Sequence, residues 1–361
     1  MHICYLSELF YPYLFGGAER RYYEIAKRMA RKHDVTIYSL RLKGQEHKET
    51  VDGMEIRRVG LRHPMTRRRL LPLLSYSVLP SLKSDFDLID ANQGMASFIG
   101  YYKSLTKRPI VATFHDIYWD QWKEHFRAPS CWFGKAMEFF WSKARYDRVF
   151  ANSPLTKEKL QRLGFRSQVD VIVSGINLDQ INATRAKKED NVVLYVGRLV
   201  DYKNVDELIR SFAKVRQEIP DARLRIIGTG PEKQRLMQLT HQLGVDVEFR
   251  GFLSEREKII EMKSASVLVN PSSVEGLGLI LLESMACGTP VIAKNLPVYF
   301  FCNEKNSVLI KDDNYSAPII EMLNDKARRR AIERSGIKTA SQYSWDETAR
   351  RVEAVYEELV G

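Results

Sequence analysis

The chain has 361 residues, of which 44% are hydrophobic and 28% are charged. This length is about 2.4 times that of a typical domain, which favours two domains, and the composition excludes both a disordered chain and a small disulfide-rich protein. The four cysteines are scattered, without the paired spacing of a zinc site, so a reducing compartment such as the cytoplasm fits best.

The net charge of +11 comes entirely from the first half of the chain. Residues 1–176 contain 29 Lys and Arg against 18 Asp and Glu, a net of +11, whereas residues 177–361 contain 27 of each sign. A uniformly basic nucleic-acid-binding protein would not usually show this asymmetry, so we expect a basic domain that faces an acidic partner and no nucleic-acid partner. Nothing near the first residues resembles a signal peptide, and no apolar run approaches the roughly 18–20 residues that span a bilayer. We therefore expect a cytoplasmic protein, at most peripheral at the inner face of the membrane.

Short β-rich segments alternate with amphipathic segments throughout the first half. Between the first two β-rich segments, Tyr22, Ile25, Ala26 and Met29 recur at helical spacing. This alternation predicts a parallel sheet with crossover helices. The predicted strands are residues 2–7, 34–40, 54–59, 86–90, 110–114, 148–151 and 169–173.

The same pattern begins again in the second half. Residues 191–196 are nearly continuously apolar, as expected of a strand that is covered on both faces. Residues 174–189 are polar and lack either periodicity, which predicts a linker. Five more strands are predicted at residues 223–227, 245–249, 266–270, 290–293 and 307–310. One face of a terminal helix is traced by Trp345, Ala349, Val352, Tyr356 and Leu359.

These elements predict an α/β fold with two tandem Rossmann-like, doubly wound domains. We assign residues 1–176 together with 344–361 to the first domain and residues 177–343 to the second. Ligands of such sheets bind beyond the carboxyl ends of the strands, so we expect the site in a cleft between the domains.

The segment that follows the predicted strand 266–270 points to the ligand. Gly276 and Gly278 lie in the turn before a predicted helix at residues 279–286, where the backbone can approach an anion. Glu275 precedes this helix and Glu283 lies eight positions later, roughly 10 Å away along the axis at ~1.5 Å of rise per residue. That separation suits an elongated ligand with phosphate in the middle and hydroxyl-bearing rings at both ends, such as a nucleotide sugar.

Four segments occur in a recognisable order along the chain. They are Gly16-Gly17-Ala18-Glu19-Arg20, Val196-Gly197-Arg198-Leu199 with Lys203, Gly228-Thr229-Gly230-Pro231, and Glu275 to Glu283 followed by Cys287-Gly288-Thr289-Pro290-Val291. Together they resemble the retaining nucleotide-sugar glycosyltransferases of family four, which have the GT-B fold. The resemblance covers nearly the whole chain. It implies an acceptor-binding first domain, a donor-binding second domain and a terminal helix that crosses back to the first.

The resemblance also implies residue roles. Glu283 would hydrogen-bond the donor ribose, Glu275 would face the transferred sugar, and Arg198 and Lys203 would pair with the diphosphate, as guanidinium and ammonium groups commonly do. His115 would approach the donor sugar from the first domain, with Asp116 beside it. The remaining donor-binding positions are Gly16, Gly17, Gly228, Gly276, Leu277, Gly278 and Leu279. Ordinary readings stay open: surface salt bridges for the two cations, and a tight turn for Gly16 and Gly17.

A front-face mechanism follows from the same resemblance, because no residue is identifiable as a carboxylate nucleophile. The leaving diphosphate would help to deprotonate the acceptor, and cationic side chains would replace a divalent metal ion. We therefore expect no metal and no cofactor apart from the nucleoside-diphosphate sugar substrate. One segment departs from the family pattern. After residues 289–293 relatives usually carry a glycine-rich turn and Glu, whereas residues 294–301 here are bulky, which leaves the sugar open.

The acceptor side is less specific, and we expect a glycan or a lipid-linked acceptor. Residues 57–75 combine six arginines with leucines, and four of the five tryptophans fall within residues 119–141. These segments fit an anionic membrane surface, an aromatic platform for acceptor sugars, or a solvated basic loop with an aromatic subcore. Two other functions remain open: a GT-B-fold sugar-nucleotide epimerase, and a non-catalytic nucleotide-sugar-binding protein. Lys233 occupies the third glycine position of a dinucleotide fingerprint, which disfavours a dehydrogenase.

Overall fold

The computed structural model describes residues 1–12, 16–63, 85–94, 96–119, 122 and 130–361. For residues 60–63 it describes the backbone only. The chain forms two compact units. Unit 1 comprises Met1–Gly175 and Trp345–Gly361, and unit 2 comprises Ile176–Ser344. Each unit is built on its own largely parallel sheet, so the predicted α/β class with two doubly wound sheets is confirmed.

Among the described residues of unit 1, the sheet has eight strands in the order β3-β4-β2-β1-β5-β6-β7-β8. All neighbouring strands are parallel except the pair β3 and β4. The strands are β1 (His2–Leu6), β2 (Asp34–Leu42), β3 (Lys48–Val51), β4 (Met54–His63), β5 (Leu88–Asn92), β6 (Ile110–Phe114), β7 (Arg148–Ala151) and β8 (Val169–Val171). The predicted strands are all present. The sequence analysis missed β3, because this edge strand is polar and half-exposed and has no apolar run.

Helices connect these strands: α1 (Gly17–Met29), α2 (Lys103–Thr106), α3 (Ser130–Lys143) and α4 (Pro154–Arg162). The residues predicted to form the inner face of α1 are buried or half-buried against the sheet. Helix α4 begins where its residue types predict, because Ser153 Oγ accepts a hydrogen bond from Thr156 N at 3.0 Å and Pro154 occupies the first helical position.

The sheet of unit 2 has six parallel strands in the order β11-β10-β9-β12-β13-β14. They are β9 (Val192–Val196), β10 (Arg223–Ile227), β11 (Val247–Gly251), β12 (Val267–Asn270), β13 (Val291–Lys294) and β14 (Val308–Ile310). All six predicted strands are present, and the bounds differ by at most two residues. The apolar β9 lies inside the sheet, as its composition predicts.

Unit 2 contains seven α-helices in the order of the chain. They are α5 (Leu178–Ala183), α6 (Val205–Glu218), α7 (Lys233–Leu243), α8 (Glu255–Ser264), α9 (Leu279–Ala286), α10 (Ser316–Asn324) and α11 (Lys326–Ala340). The predicted linker, residues 174–189, contains the short helix α5, which the sequence analysis did not predict. Asn177 caps this helix by accepting a hydrogen bond from Gln180 N at 3.1 Å. With six residues, α5 is too short to show helical periodicity.

The terminal helix α12 (Trp345–Val360) belongs to unit 1, as predicted. Four of the five residues predicted to trace its inner face are buried, and Leu359 packs against the same core. At its outer side, Arg28 of α1 binds Asp346 at 2.9 Å, and Lys32 binds Glu353 at 3.0 Å. The helix therefore completes the core of unit 1 beside α1.

A buried carboxylate joins α12 to the sheet. Asp90 of β5 accepts hydrogen bonds from Tyr22 at 2.5 Å, from Thr113 at 3.4 Å and from Tyr356 of α12. Burial raises the pKa of Asp90 to about 6. None of the helices in the described ranges combines the length and the low polarity needed to cross a lipid bilayer.

Candidate functional site

Most of the predicted donor-binding residues lie at one edge of the unit 2 sheet. Strands β9, β10 and β12 end at Val196, Ile227 and Asn270, and the predicted residues follow directly in the next loops. Because these strands are parallel, their carboxyl ends share an edge, which is where doubly wound sheets bind ligands.

The centre of this edge is an ion pair between two predicted site residues. Lys203 Nζ donates a hydrogen bond to Glu275 Oε1 at 2.6 Å, and the two side chains are only 14% and 13% exposed. The ammonium also lies 5.7 Å from the centre of the Tyr202 ring. The structure thus brings together a cation expected to bind diphosphate and an acid expected to face the sugar.

Backbone contacts hold the two loops that carry this pair. Ser273 donates to the Tyr202 carbonyl through its backbone N at 3.0 Å and its Oγ at 3.1 Å. Asn204 Nδ2 donates to the Pro271 carbonyl at 3.3 Å. These hydrogen bonds fix the loop after β9 to the loop after β12. The backbone of the two loops therefore holds Lys203 and Glu275 next to each other.

Two residues of this cluster, Asn270 and Tyr299, were missed by the sequence analysis. The buried Asn270 Nδ2 lies 3.2 Å from Glu275 Oε1 and 3.2 Å from the Tyr299 hydroxyl, while its Oδ1 accepts from Ser272 Oγ at 2.6 Å. Burial and the charge of Glu275 raise the pKa of Tyr299 well above its ordinary value, so this phenol stays neutral. The position of Asn270 at a strand end, and that of Tyr299 in the bulky segment 294–301, were the available signals.

Gly278 is required at its position for two reasons. Its φ of +79° lies in the left-handed region, and a Cβ there would lie 2.5 Å from Tyr299 Cε1. Of its neighbours, Gly276 and Leu279 are half-exposed, whereas the Leu277 side chain is buried in the core. The Leu277 side chain is therefore not available to a ligand.

Glu283 lies in α9 and has a different cationic partner from Glu275. Lys258 Nζ of α8 donates to Glu283 Oε2 at 2.8 Å and also lies 3.1 Å from Glu255 Oε2. Lys258 was not identified from the sequence, because its link to α9 depends on how the two helices pack. The two predicted acids therefore each contact a lysine.

Arg198 is more exposed than Lys203, the other cation predicted for this site. Its Nη2 donates to the Tyr202 hydroxyl at 2.6 Å, and its carbonyl accepts from the Tyr195 hydroxyl at 3.1 Å. Burial and the charge of Glu275 raise the pKa of Tyr195. The guanidinium is thus turned toward the tyrosine that also contacts the Lys203 ammonium.

Gly228 has a packing role that the sequence analysis did not foresee. Its φ is +138°, and a Cβ at this position would lie 1.8 Å from the Gly197 carbonyl oxygen. The loops after β9 and β10 approach each other here, since Gly197 N donates to the Ile227 carbonyl at 3.0 Å. This close approach by itself requires glycine.

The predicted residues of unit 1 are described separately. His115 follows β6; its backbone N donates to Gln93 Oε1 at 2.7 Å, and its Nε2 lies 2.8 Å from Asn92 Oδ1. Burial, together with the charge of Arg21, lowers the pKa of His115 to about 3, so the ring is neutral near pH 7. Because Nε2 faces a carbonyl oxygen, it carries the proton, and Nδ1 is left as an acceptor.

Other predicted residues of unit 1 differ in burial. Asp116 is buried and binds Lys159 Nζ at 2.9 Å, which gives it a structural partner. Gly16 is exposed and extended, and Gly17 is the exposed first residue of α1. Neither glycine is required by its backbone conformation. Within the described ranges, no three His, Cys, Asp or Glu side chains are grouped as a metal ion would need.

The segments predicted to contact a membrane are only partly described. Within residues 57–75, residues 64–75 lie outside the described residues, as do the side chains of residues 60–63. Arg57 binds Glu55 at 2.5 Å, and the buried Arg58 binds Glu49. The buried Arg58 is not available to a membrane surface, whereas the Arg57 side chain is 36% exposed. The membrane contact predicted for residues 57–75 stays a prediction.

The aromatic segment divides into buried and exposed parts. Trp141 is buried in the core, and Trp119 packs against it. Four aromatic side chains of α3 are exposed instead: Trp132 (68%), Phe133 (64%), Phe139 (45%) and Phe140 (49%). An aromatic subcore thus describes only part of this segment, because the four exposed rings of α3 lie outside it.

Sequence comparisons relate both units to glycosyltransferases. Residues 15–180 match the family described as Glycosyltransferase Family 4, and residues 177–339 match Glycosyl transferases group 1. An uncharacterised glycosyltransferase of Methanocaldococcus jannaschii is 26% identical to this chain, and the alignment covers 99% of this chain and 98% of that protein.

Solved structures share the fold. Sucrose-phosphate synthase from Thermosynechococcus elongatus superposes with a TM-score of 0.81 at 21% identity, over 99% of this chain and 98% of the other. Anabaena HepE, solved in complex with UDP and glucose, superposes with a TM-score of 0.80 at 20% identity, over 99% of this chain and 100% of the other.

Proposed function

Because the chain belongs to the family-four glycosyltransferases of the GT-B fold, we propose that it is a retaining enzyme that moves a sugar from a nucleoside-diphosphate sugar to a glycan or lipid-linked acceptor. The observation that carries this proposal is the Lys203–Glu275 pair at the carboxyl edge of the unit 2 sheet. It offers a cation for the diphosphate directly beside an acid for the sugar.

Donor binding follows from the positions of the charged groups. Lys203 and Arg198 would bind the diphosphate, one as a point charge and the other through its planar fork. Glu283 would bind the ribose hydroxyls from α9. Anabaena HepE binds UDP and glucose, which supports this class of donor for a chain of the same fold. Glu275 neutralises Lys203, so the diphosphate would compete with this carboxylate for the ammonium.

The reaction would proceed on one face of the donor sugar. The bond from the anomeric carbon to the diphosphate oxygen breaks, the acceptor oxygen bonds to the same face, and the acceptor proton passes to the leaving phosphate. Lys203 and Arg198 would stabilise the charge that grows on that phosphate, in place of a metal ion. Glu275 receives hydrogen bonds from Lys203 and Asn270, which would hold it in position beside the sugar. Neutral His115 would supply a polar contact and would not transfer a proton near pH 7.

Donor binding and transfer can be tested separately. A thermal-shift screen of UDP-, GDP-, ADP- and dTDP-sugars identifies the donor, because ligand binding to the native state raises stability. We expect Lys203→Met and Glu283→Ala to weaken donor binding, and Glu275→Gln mainly to slow transfer. Lys214→Met is the matched control, because Lys214 is exposed and pairs with no acid in the described part of the chain. Unchanged binding in both donor-site variants would refute the site.

The finer claims have their own readouts. Release of free nucleoside diphosphate only when acceptor is present supports a transferase, whereas interconversion of the sugar without acceptor would favour the epimerase. Binding without turnover on any acceptor would favour a non-catalytic protein. An inverted anomeric product would contradict retention. Activity lost in EDTA and restored by Mg²⁺ would contradict metal independence.

We further propose that the exposed aromatic face of α3 places the enzyme at an anionic membrane surface, where a lipid-linked acceptor would be found. Positions 132 and 133 precede 139 and 140 by seven residues, so the four rings share one side of the helix. Lys135 and Lys143 flank them, with Lys143 Nζ 5.1 Å from the Phe139 ring centre. Aromatic rings combined with lysines fit a membrane interface.

Vesicle sedimentation tests this surface. We expect Trp132→Ser/Phe133→Ser to reduce binding to vesicles that contain phosphatidylglycerol. Phe252→Ser is the control, because Phe252 is a comparably exposed aromatic of unit 2. Equal binding by the parent and the double variant would refute a membrane contact through this face of α3.

A further inference from the structure

A second cavity of unit 2 lies away from the candidate donor site. It has a volume of about 420 Å³, within the range of small-molecule sites. Five of its lining residues are cationic and two are acidic, which gives a net charge of +3. The cations are Lys188, Lys263, Lys326, Arg329 and Arg330, and the acids are Asp190 and Glu333.

The cavity lies at the amino edge of the sheet. Lys188 precedes β9, Lys263 lies near the end of α8 just before β12, and Gly288 lies between the end of α9 and β13. The donor-binding residues follow the carboxyl ends of the same parallel strands. The two sites therefore lie at opposite edges of one sheet and share no residue. We name this second cavity the basic pocket.

Two of the cations also have structural roles. Lys188 Nζ donates to the Gly288 carbonyl and to Thr289 Oγ1, both at 3.1 Å. Arg329 is only 8% exposed, and its Nη1 donates to two carbonyls near the end of α10 at 3.1 and 3.3 Å. These contacts fix the wall of the pocket. Burial lowers the pKa of Lys188, and the neighbouring charge of Arg329 acts in the same direction.

The other three cations have no such partner. The side chains of Lys263, Lys326 and Arg330 form no ion pair or hydrogen bond with any residue in the described part of the chain. The two acids do not balance them, because Asp190 lies 3.8 Å from Arg329 and Glu333 lies 4.0 Å from Lys188. Lysine and arginine side chains that converge on a cavity without an acidic partner of their own repel each other, and an anion between them would offset that repulsion.

We propose that the basic pocket binds an anion that carries two or more phosphate groups. Lys326 and Arg330 are four residues apart on one face of α11, whereas Lys263 comes from α8. An anion that meets all three therefore has to bridge two helices, which favours more than one phosphate. Arginine binds phosphate through its fork and lysine as a point charge. A free polyphosphorylated molecule and the headgroup of a lipid with two phosphates share this chemistry.

Calorimetric titration of the intact protein with inorganic pyrophosphate tests the pocket. The donor site also binds diphosphate, so the titration is made in the Lys203→Met protein as well as in the parent. In both proteins we expect Lys326→Ala/Arg330→Ala to weaken one class of site at least tenfold. The matched control is Arg210→Ala/Lys214→Ala, an exposed pair four residues apart on α6 that forms no ion pair with the described residues.

The outcomes separate this pocket from the donor site. Pyrophosphate should also slow hydrogen exchange in residues 255–264 and 326–340 of the Lys203→Met protein. Sedimentation with cardiolipin vesicles distinguishes the source: a loss of vesicle binding in the pocket variant, without pyrophosphate binding, assigns the pocket to a lipid headgroup. Equal pyrophosphate and vesicle binding by the parent, the pocket variant and the control would overturn the proposal. That result would leave the donor site unaffected.

Discussion

Replacement of Gly278 by alanine should destabilise unit 2 by an amount that the geometry predicts. The left-handed backbone at φ +79° costs a residue with a Cβ about 1–2 kcal/mol. The new methyl group would lie 2.5 Å from a ring carbon of the buried Tyr299, and overpacking of this kind costs about 1–3 kcal/mol. We therefore expect Gly278→Ala to lower the free energy of unfolding by about 2–5 kcal/mol.

Gly288 at the other end of α9 provides the control. Its φ is +69°, but a Cβ there would meet Ile337 Cδ1 at an ordinary 3.4 Å. Gly288→Ala should therefore cost only the backbone term of about 1–2 kcal/mol. The difference between the two variants measures the contact with Tyr299. In a Tyr299→Leu background, Gly278→Ala should cost no more than Gly288→Ala.

Urea denaturation can assign the loss to the correct unit. All five tryptophans lie in unit 1, so their fluorescence follows that unit, whereas far-UV circular dichroism also follows unit 2. We expect Gly278→Ala to shift the dichroism transition to lower urea and to leave the fluorescence transition in place. Equal losses in the two glycine variants, or an unchanged cost in the Tyr299→Leu background, would refute the reasoning.

Three further predictions concern charge and exposure. Burial raises the pKa of Asp90 from 3.8 to about 6. Between these two pH values the folded state holds a proton that the unfolded state has released. The free energy of unfolding should therefore fall by about 3 kcal/mol as the pH rises from about 4 to above 6. Asp90→Asn should remove this dependence in fluorescence-monitored urea titrations between pH 4 and 7, and parallel profiles for parent and variant would contradict it. Phe252 is 85% exposed directly after β11, so Phe252→Ala should change the free energy of unfolding by less than about 0.5 kcal/mol. If this ring stacks on the base of the donor, the same variant should lose about 1–3 kcal/mol of donor affinity in calorimetry. An unchanged affinity would exclude the stacking. Lys258→Met removes the ion-pair partner of Glu283 and should weaken donor binding about fivefold. Lys48→Met breaks a surface ion pair of unit 1 and should leave donor binding unchanged. Equal donor affinities of the parent and Lys258→Met would argue against a role for Lys258.

Much of the fold follows from local sequence signals. The strands Ile110–Phe114 and Arg223–Ile227 and the helix Leu279–Ala286 are predicted to the residue, because compact apolar runs end at glycine, proline or polar residues. Strand β3 and helix α5 are missed for the opposite reason. The first is a polar edge strand, and the second is too short for its periodicity to be visible.

The candidate site is predictable only in part. Glu275 and Lys203 are identifiable from their motifs, but their 2.6 Å contact depends on how two loops dock. Asn270, Tyr299 and Lys258 were missed, because their positions beside the site result from strand register and helix packing. A residue that touches a functional group only through tertiary structure leaves no local pattern.

The return of α12 to unit 1 has a consequence for biosynthesis. Unit 2 is a continuous stretch of chain inserted into unit 1, and the ribosome completes it before Trp345 is made. Tyr356, which donates to Asp90, emerges later still. Nascent chains usually fold from the amino terminus onward, but here the amino-terminal sheet has to wait with an uncovered face and an incompletely satisfied carboxylate. Unit 1 is therefore the part of the nascent protein most in need of chaperone protection.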